Sequence, residues 1–221
     1  MTLPPGLSAK TLWPTTFYTR PWEEHDAEAG GIIEHLYRLK AATPARIASG
    51  IAPGAKAGGL YESGFDLFAE DHAGLSKFKA FAGQTLRAVA CHVNGNRTDP
   101  TRLRVTVPDS WFHITNDGGF HDAHHHGGCS WCGIYYLQIG DSGLRADGGA
   151  PNGGNRFYSP LRAGGSYNDF GNRYLEFNTV DPPPQDGLLL LFPSYLMHSG
   201  LPYRGEKDRI VISFNAQITA S

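Results

Sequence analysis

The chain has 221 residues, enough for one sizeable domain with a buried core, and its 19 basic and 21 acidic residues leave a formal charge of -2. That balance supplies no electrostatic footprint for DNA, RNA or an anionic membrane, so the expected partner is a small molecule. Three cysteines, Cys91, Cys129 and Cys132, are too few for a disulfide framework; the opening residues lack a secretion signal and no stretch approaches a membrane span, so a soluble cytoplasmic protein is expected.

A short strand-like piece over residues 11–18 comes first. Residues 22–40 then place Ile32, Ile33, Leu36 and Leu39 at helical spacing. Residues 42–59, rich in Ala, Gly and Pro, read as an irregular loop. A second helix is predicted between Asp71 and Val93, where Leu75, Phe78, Phe81, Leu86, Val89 and Val93 form an apolar stripe beside Lys77, Lys79 and Arg87. Both helices are expected to pack on the back of a sheet. From Arg102 the period changes to two, with strands predicted at 102–107, 110–116, 121–126, 132–139, 155–158, 173–179, 187–192 and 208–217, and turns at Asp186-Gly187 and Arg204-Gly205. Eight short strands suggest a jelly roll. The expectation is a mainly β single domain, with a helical support region over about 1–100 and a β core over about 101–221. The glycine-dense stretch 140–172 reads as a loop able to cover a pocket mouth.

Four histidines fall within six residues, in His121-Asp122-Ala123-His124-His125-His126, and His198 follows 72 positions after the last of them. In an extended strand alternate side chains share a face, so His124 and His126 can converge on one ion while His125 points away. His198 lies just past the apolar run Leu188-Leu189-Leu190-Leu191-Phe192, which should deliver it to a barrel interior and close a metal-binding triad. Asp122 shares the face of His124 and His126 and is the alternative third ligand. A solvated polar loop that binds metal adventitiously is the blander reading of the cluster.

Arg209 opens a strand in which Arg209, Val211, Ser213 and Asn215 share one face and the opposite face is apolar. Pointing inward, its guanidinium needs an anion, and its planar fork suits a carboxylate; Ser213 offers a hydroxyl donor. Pairing with Asp208 or Glu206 at the surface is the plainer alternative. In Gly133-Ile134-Tyr135-Tyr136 the two tyrosines face opposite sides, and Tyr136 is the one expected to hydrogen-bond a bound acid; paired strand tyrosines that simply pack are the common case. Cys129 and Cys132 form a lone Cys-x-x-Cys pair, read as a loop thiol and a core residue rather than a zinc or redox site.

The order Trp111-Phe112-His113, His124-His125-His126, Gly133-Ile134-Tyr135-Tyr136, Phe192-Pro193-Ser194, His198, Arg209 and Ser213-Phe214-Asn215 resembles the iron(II)- and 2-oxoglutarate-dependent oxygenases, within them a bacterial family with a His-x-His pair. Leu12-Trp13-Pro14-Thr15 and Gly58-Gly59-Leu60-Tyr61-Glu62-Ser63 extend the likeness over most of the chain. The resemblance implies a double-stranded β-helix, cupin-like, holding Fe(II) through His124, His126 and His198. It also implies that Arg209 meets the distal carboxylate of 2-oxoglutarate, assisted by Ser213 and Tyr136, with His113 near the cosubstrate's other end. Its activity would be hydroxylation of a C–H bond of a small or amino-acid-like substrate, using O2 and releasing succinate and CO2. One departure is that His126 stands where the superfamily usually has a carboxylate. Two rivals remain: a cupin-like three-histidine dioxygenase that binds its substrate directly to the metal, and a non-catalytic sensing domain that holds zinc. An exposed N-terminal helix offers a route to a homodimer.

Overall fold

A computed structural model describes residues 15–43, 59–143, 149–160 and 179–220. Among the described residues, ten strands form two antiparallel sheets. The larger has the order β1 (Tyr18–Pro21), β8 (Leu188–Pro193), β5 (Trp131–Gln138), β10 (Arg209–Ala220), β3 (Leu103–Thr115) and β2 (Leu60–Glu62); the smaller has the order β4 (Gly119–His124), β9 (His198–Tyr203), β6 (Asn155–Tyr158) and β7 (Thr179–Val180). Two helices, α1 (His25–Ala42) and α2 (Ala73–Val93), precede most of the strands. This is the mainly β jelly roll expected from the sequence. None of the described helices is long and apolar enough to cross a membrane.

The larger sheet separates two apolar layers, because alternate residues of each strand face opposite ways. Tyr135, Leu189, Leu191, Ile210, Ile212 and Phe214 face outward and pack with Leu36, Leu75, Phe78 and Leu86 of the helices. Ile134, Tyr136, Leu190, Phe192 and Val211 face the interior between the sheets, where they meet Phe157 of β6. Buried on both faces, β8 reads as an unbroken apolar run. Phe78 sits at the middle of the outer layer, its ring 4.2 Å from that of Tyr135. Val93, predicted on the same stripe, is exposed at the end of α2.

The two strands predicted at 102–107 and 110–116 are one strand, β3. Asp109 pairs with Asn215 and Thr106 with Gln217, so two residues of β3, Val107 and Pro108, oppose one of β10, Ala216, and Pro108, which has no N–H to donate, falls in that bulge. Three strands went unpredicted: β9, whose Gly200 and Pro202 disguise it, and the edge strands β1 and β2, of which β1 overlaps the piece predicted at 11–18 only at Tyr18. Residues 11–14 and 173–178, and most of the loops predicted at 42–59 and 140–172, lie outside the described residues.

Candidate active site

Strand β4 carries two of the histidines in an irregular ladder. His121 pairs with Gly200 and His124 with His198, so three steps on β4 match two on β9. This bulge breaks simple alternation: His121 and His124 both line the cavity between the sheets, and Asp122 is exposed. His126 follows directly, its backbone N–H donating to the Ser194 carbonyl at 3.0 Å, which ties it to the turn that leads into His198. His125 is exposed.

The rings of His124, His126 and His198 converge. Their centroids are 5.0 Å (124 to 126), 4.3 Å (124 to 198) and 5.3 Å (126 to 198) apart, and one ligand nitrogen from each lies within 4.8 Å of the others. A carbonyl can only accept, so His124 Nδ1 donates to Asp122 O (2.7 Å) and His198 Nδ1 to Leu196 O (3.0 Å), leaving each Nε2 with its lone pair. Burial, reinforced by the neighbouring histidines, lowers the pKa of His124 to about 4 and of His198 to about 3, and burial lowers that of His126. Neutral imidazoles with lone pairs aimed at one point fit a divalent first-row cation. Asp122 is not among these donors.

Cross-strand pairing arranges the inner face in rows leading away from the triad. Asp109, Asn215 and Cys132 share a row, then Trp111, Ser213 and Ile134, then Glu62, His113, Val211 and Tyr136, then Leu60, Thr115 and Arg209. Arg209 is 3 % exposed and lines the cavity, of about 220 Å³. A surface pairing does not fit this burial, and Asp208 is held instead by Tyr37 and Asn116. Its Nη2 donates to Asn155 Oδ1 at 2.8 Å, its guanidinium lies 5.6 Å from the Tyr136 ring centroid, and its Nε has no hydrogen-bond partner. The Tyr136 hydroxyl, beside Arg209, and the Thr115 hydroxyl are likewise buried and make no hydrogen bond of good geometry among the described residues. A buried cation ringed by idle donors fits an anion with several oxygens. Burial pushes the Tyr136 phenol up, against the charge of Arg209, so it stays a donor at neutral pH. Ser213 is four residues, about 13 Å of strand, from Arg209 on the side of the triad, so it lies between the two ends of the site.

The sequence reading missed three polar residues. Asn155, from β6, orients the guanidinium. Glu62, from β2, accepts from His113 Nε2 at 2.9 Å, which is where the structure places His113. His121 joins them, its Nε2 3.7 Å from Glu62 Oε2. Burial would raise the pKa of Glu62, but the two imidazoles outweigh it and hold it at about 2. Cys132 is buried, with Sγ 3.9 Å from Cys129 Sγ and donating to Asn215 Oδ1, and neither thiol belongs to a metal-binding group among the described residues.

Residues 109–215 match the family model described as "Putative 2OG-Fe(II) oxygenase", the likeness that the sequence resemblance implied. Solved structures agree at the level of the fold. The α-ketoglutarate-dependent epimerase SnoN from nogalamycin biosynthesis superposes with TM-score 0.59 at 13% identity, over 92% of this chain and 78% of that one. A Pseudomonas putida prolyl-4-hydroxylase gives 0.54 at 16% identity, over 91% and 92%. HygX from Streptomyces hygroscopicus, solved with nickel, 2-oxoglutarate and hygromycin B, gives 0.50 at 14% identity, over 92% and 83%. No curated protein matches the sequence.

Proposed function

We propose that the protein is an iron(II)- and 2-oxoglutarate-dependent dioxygenase that hydroxylates a C–H bond of a small molecule. The observation that carries this reading is one cavity with three convergent neutral imidazoles at one side and a buried guanidinium lacking an anionic partner at the other. His124, His126 and His198 would hold the iron. Arg209 would take the distal carboxylate of 2-oxoglutarate, with the Tyr136 hydroxyl donating to the same group, Asn155 keeping the guanidinium in its plane, and Ser213 donating along the length of the acid. When bound, iron and 2-oxoglutarate supply oxygen activation, the acid leaving as succinate and CO2.

The remaining work belongs to the chain. Phe157 and Phe192 pack against the His198 ring, with centroids at 5.9 and 4.7 Å, and keep water from that side of the ion. Because all three protein ligands are neutral, none of the ion's charge is offset by the triad, which strengthens its hold on an anionic acid relative to a triad with a carboxylate. On this reading the enzyme is cytoplasmic, which its free cysteines fit, with residues 1–221 working as one unit.

Anaerobic addition of 2-oxoglutarate to the iron(II)-loaded protein tests the reading. A visible metal-to-ligand charge-transfer band, lost in Arg209→Gln, is expected, together with succinate formation in air. No band, with iron still bound, would favour the three-histidine dioxygenase; zinc bound in preference to iron and no succinate would favour the sensing domain.

A further inference from the structure

The cavity contains a second set of metal-ligand side chains, of which the oxygenase reading uses only His113. Glu62 comes from β2, His113 from β3 and His121 from β4, and one ligand atom from each lies within 4.8 Å of the others. Glu62 is 4 % exposed and His121 is buried as well, so this is not a solvated acidic patch. His113 Nε2 donates to Glu62 Oε2. His121 is oriented differently: its Nδ1 lies 3.3 Å from the Asp122 carbonyl, which turns its Nε2 toward Glu62 Oε2 at 3.7 Å, beyond direct hydrogen-bond reach. A carboxylate oxygen and two imidazole nitrogens gathered at that spacing in a buried site are placed to share a cation.

The backbone supports the same conclusion. The Asp122 carbonyl also accepts from His124 Nδ1, so a single peptide oxygen turns the Nε2 atoms of both rings toward the cavity. A carbonyl gripping the far nitrogen is the usual way a metal-bound imidazole is fixed. His121 is therefore set in the manner of His124, although it points at a different set of partners; the two ring centroids are 4.2 Å apart.

We propose that Glu62, His113 and His121 form a second divalent-cation site, adjacent to the three-histidine site and distinct from it. Two imidazoles and a carboxylate suit a first-row transition ion such as iron(II), cobalt(II) or zinc(II). Binding needs His113 to move its proton from Nε2 to Nδ1, a change of tautomer that releases no proton, and Glu62 to exchange a hydrogen bond for a metal bond. Arg209, whose charge reaches His113, opposes the incoming cation, and the Glu62 carboxylate offsets it. The second ion would add positive charge along the wall of the cavity where the organic acid is proposed to lie.

Cobalt(II) titration of the metal-free protein, followed by ligand-field absorption and metal analysis, tests this. The wild type is expected to bind two equivalents, Glu62→Gln and His121→Gln one each with unchanged circular dichroism, and His198→Gln one that still depends on Glu62. Saturation at one equivalent that His198→Gln abolishes would overturn the second site and leave the oxygenase reading standing, as would two equivalents persisting in both Glu62→Gln and His121→Gln. Should those variants fail to fold, wild-type protein loaded with two equivalents of manganese(II) decides: mutual dipolar broadening of the resonance is expected, and the spectrum of isolated ions would overturn the proposal.

Discussion

Arg209 shows how much one residue carries. Its buried charge has Asn155 as a neutral hydrogen-bond partner, so its value lies in what it binds. Arg209→Gln is expected to weaken 2-oxoglutarate binding by at least about 30-fold, roughly 2 kcal/mol, measured by equilibrium dialysis, while the three-histidine metal content stays the same. Arg209→Lys should recover part of the loss, because a point charge replaces the fork. Glu62 gives a pH prediction. Its folded pKa is lowered to about 2 from 4.5, so in the metal-free protein it contributes stability that is complete above about pH 4.5 and is lost as pH falls toward 2. The urea-midpoint gap between wild type and Glu62→Gln should therefore shrink from pH 6 to pH 3. The inner-face placement of Arg209, Ser213 and Tyr136 was legible in the sequence because side chains alternate along the long strands that carry them. Asn155 and Glu62 were not, because a four-residue and a three-residue strand show no period to read.

Among the elements, β4 is where pattern reading and structure part company. Strict alternation puts Asp122 beside His124 and sends His121 to the other face; the bulge against β9 reverses both. Nothing in the run of residues announces an extra step, since a bulge is decided by the partner strand, and β9 was itself hidden by Gly200 and Pro202. The helices were legible because their apolar stripes have only one surface to cover. Phe78→Ala should cost about 3–5 kcal/mol of stability in a denaturant melt, since the ring touches Trp22, Phe68, Tyr135 and Phe214. At a temperature where it remains folded, metal stoichiometry should match the wild type, because α2 packs on the face of the sheet away from the cavity.

At the scale of the whole molecule, the cavity joins both sheets, so ligands that fill it should hold them together. With metal bound, 2-oxoglutarate at about 100 times its dissociation constant should add about 2.7 kcal/mol to stability, read as a rise in melting temperature that disappears when a chelator strips the metal or when Arg209 is replaced by Gln. Another property follows from chain order. Strand β10 is the last strand in the sequence, yet it lies between β5 and β3. During synthesis those two strands leave the ribosome with the gap between them unfilled and their backbone groups open to other chains. The sheet can zip up only once residues 209–220 emerge, and the buried Arg209 guanidinium arrives in the same instalment. A transcript cut short before that point would yield a β protein with a missing central stave, prone to recruit one from its neighbours.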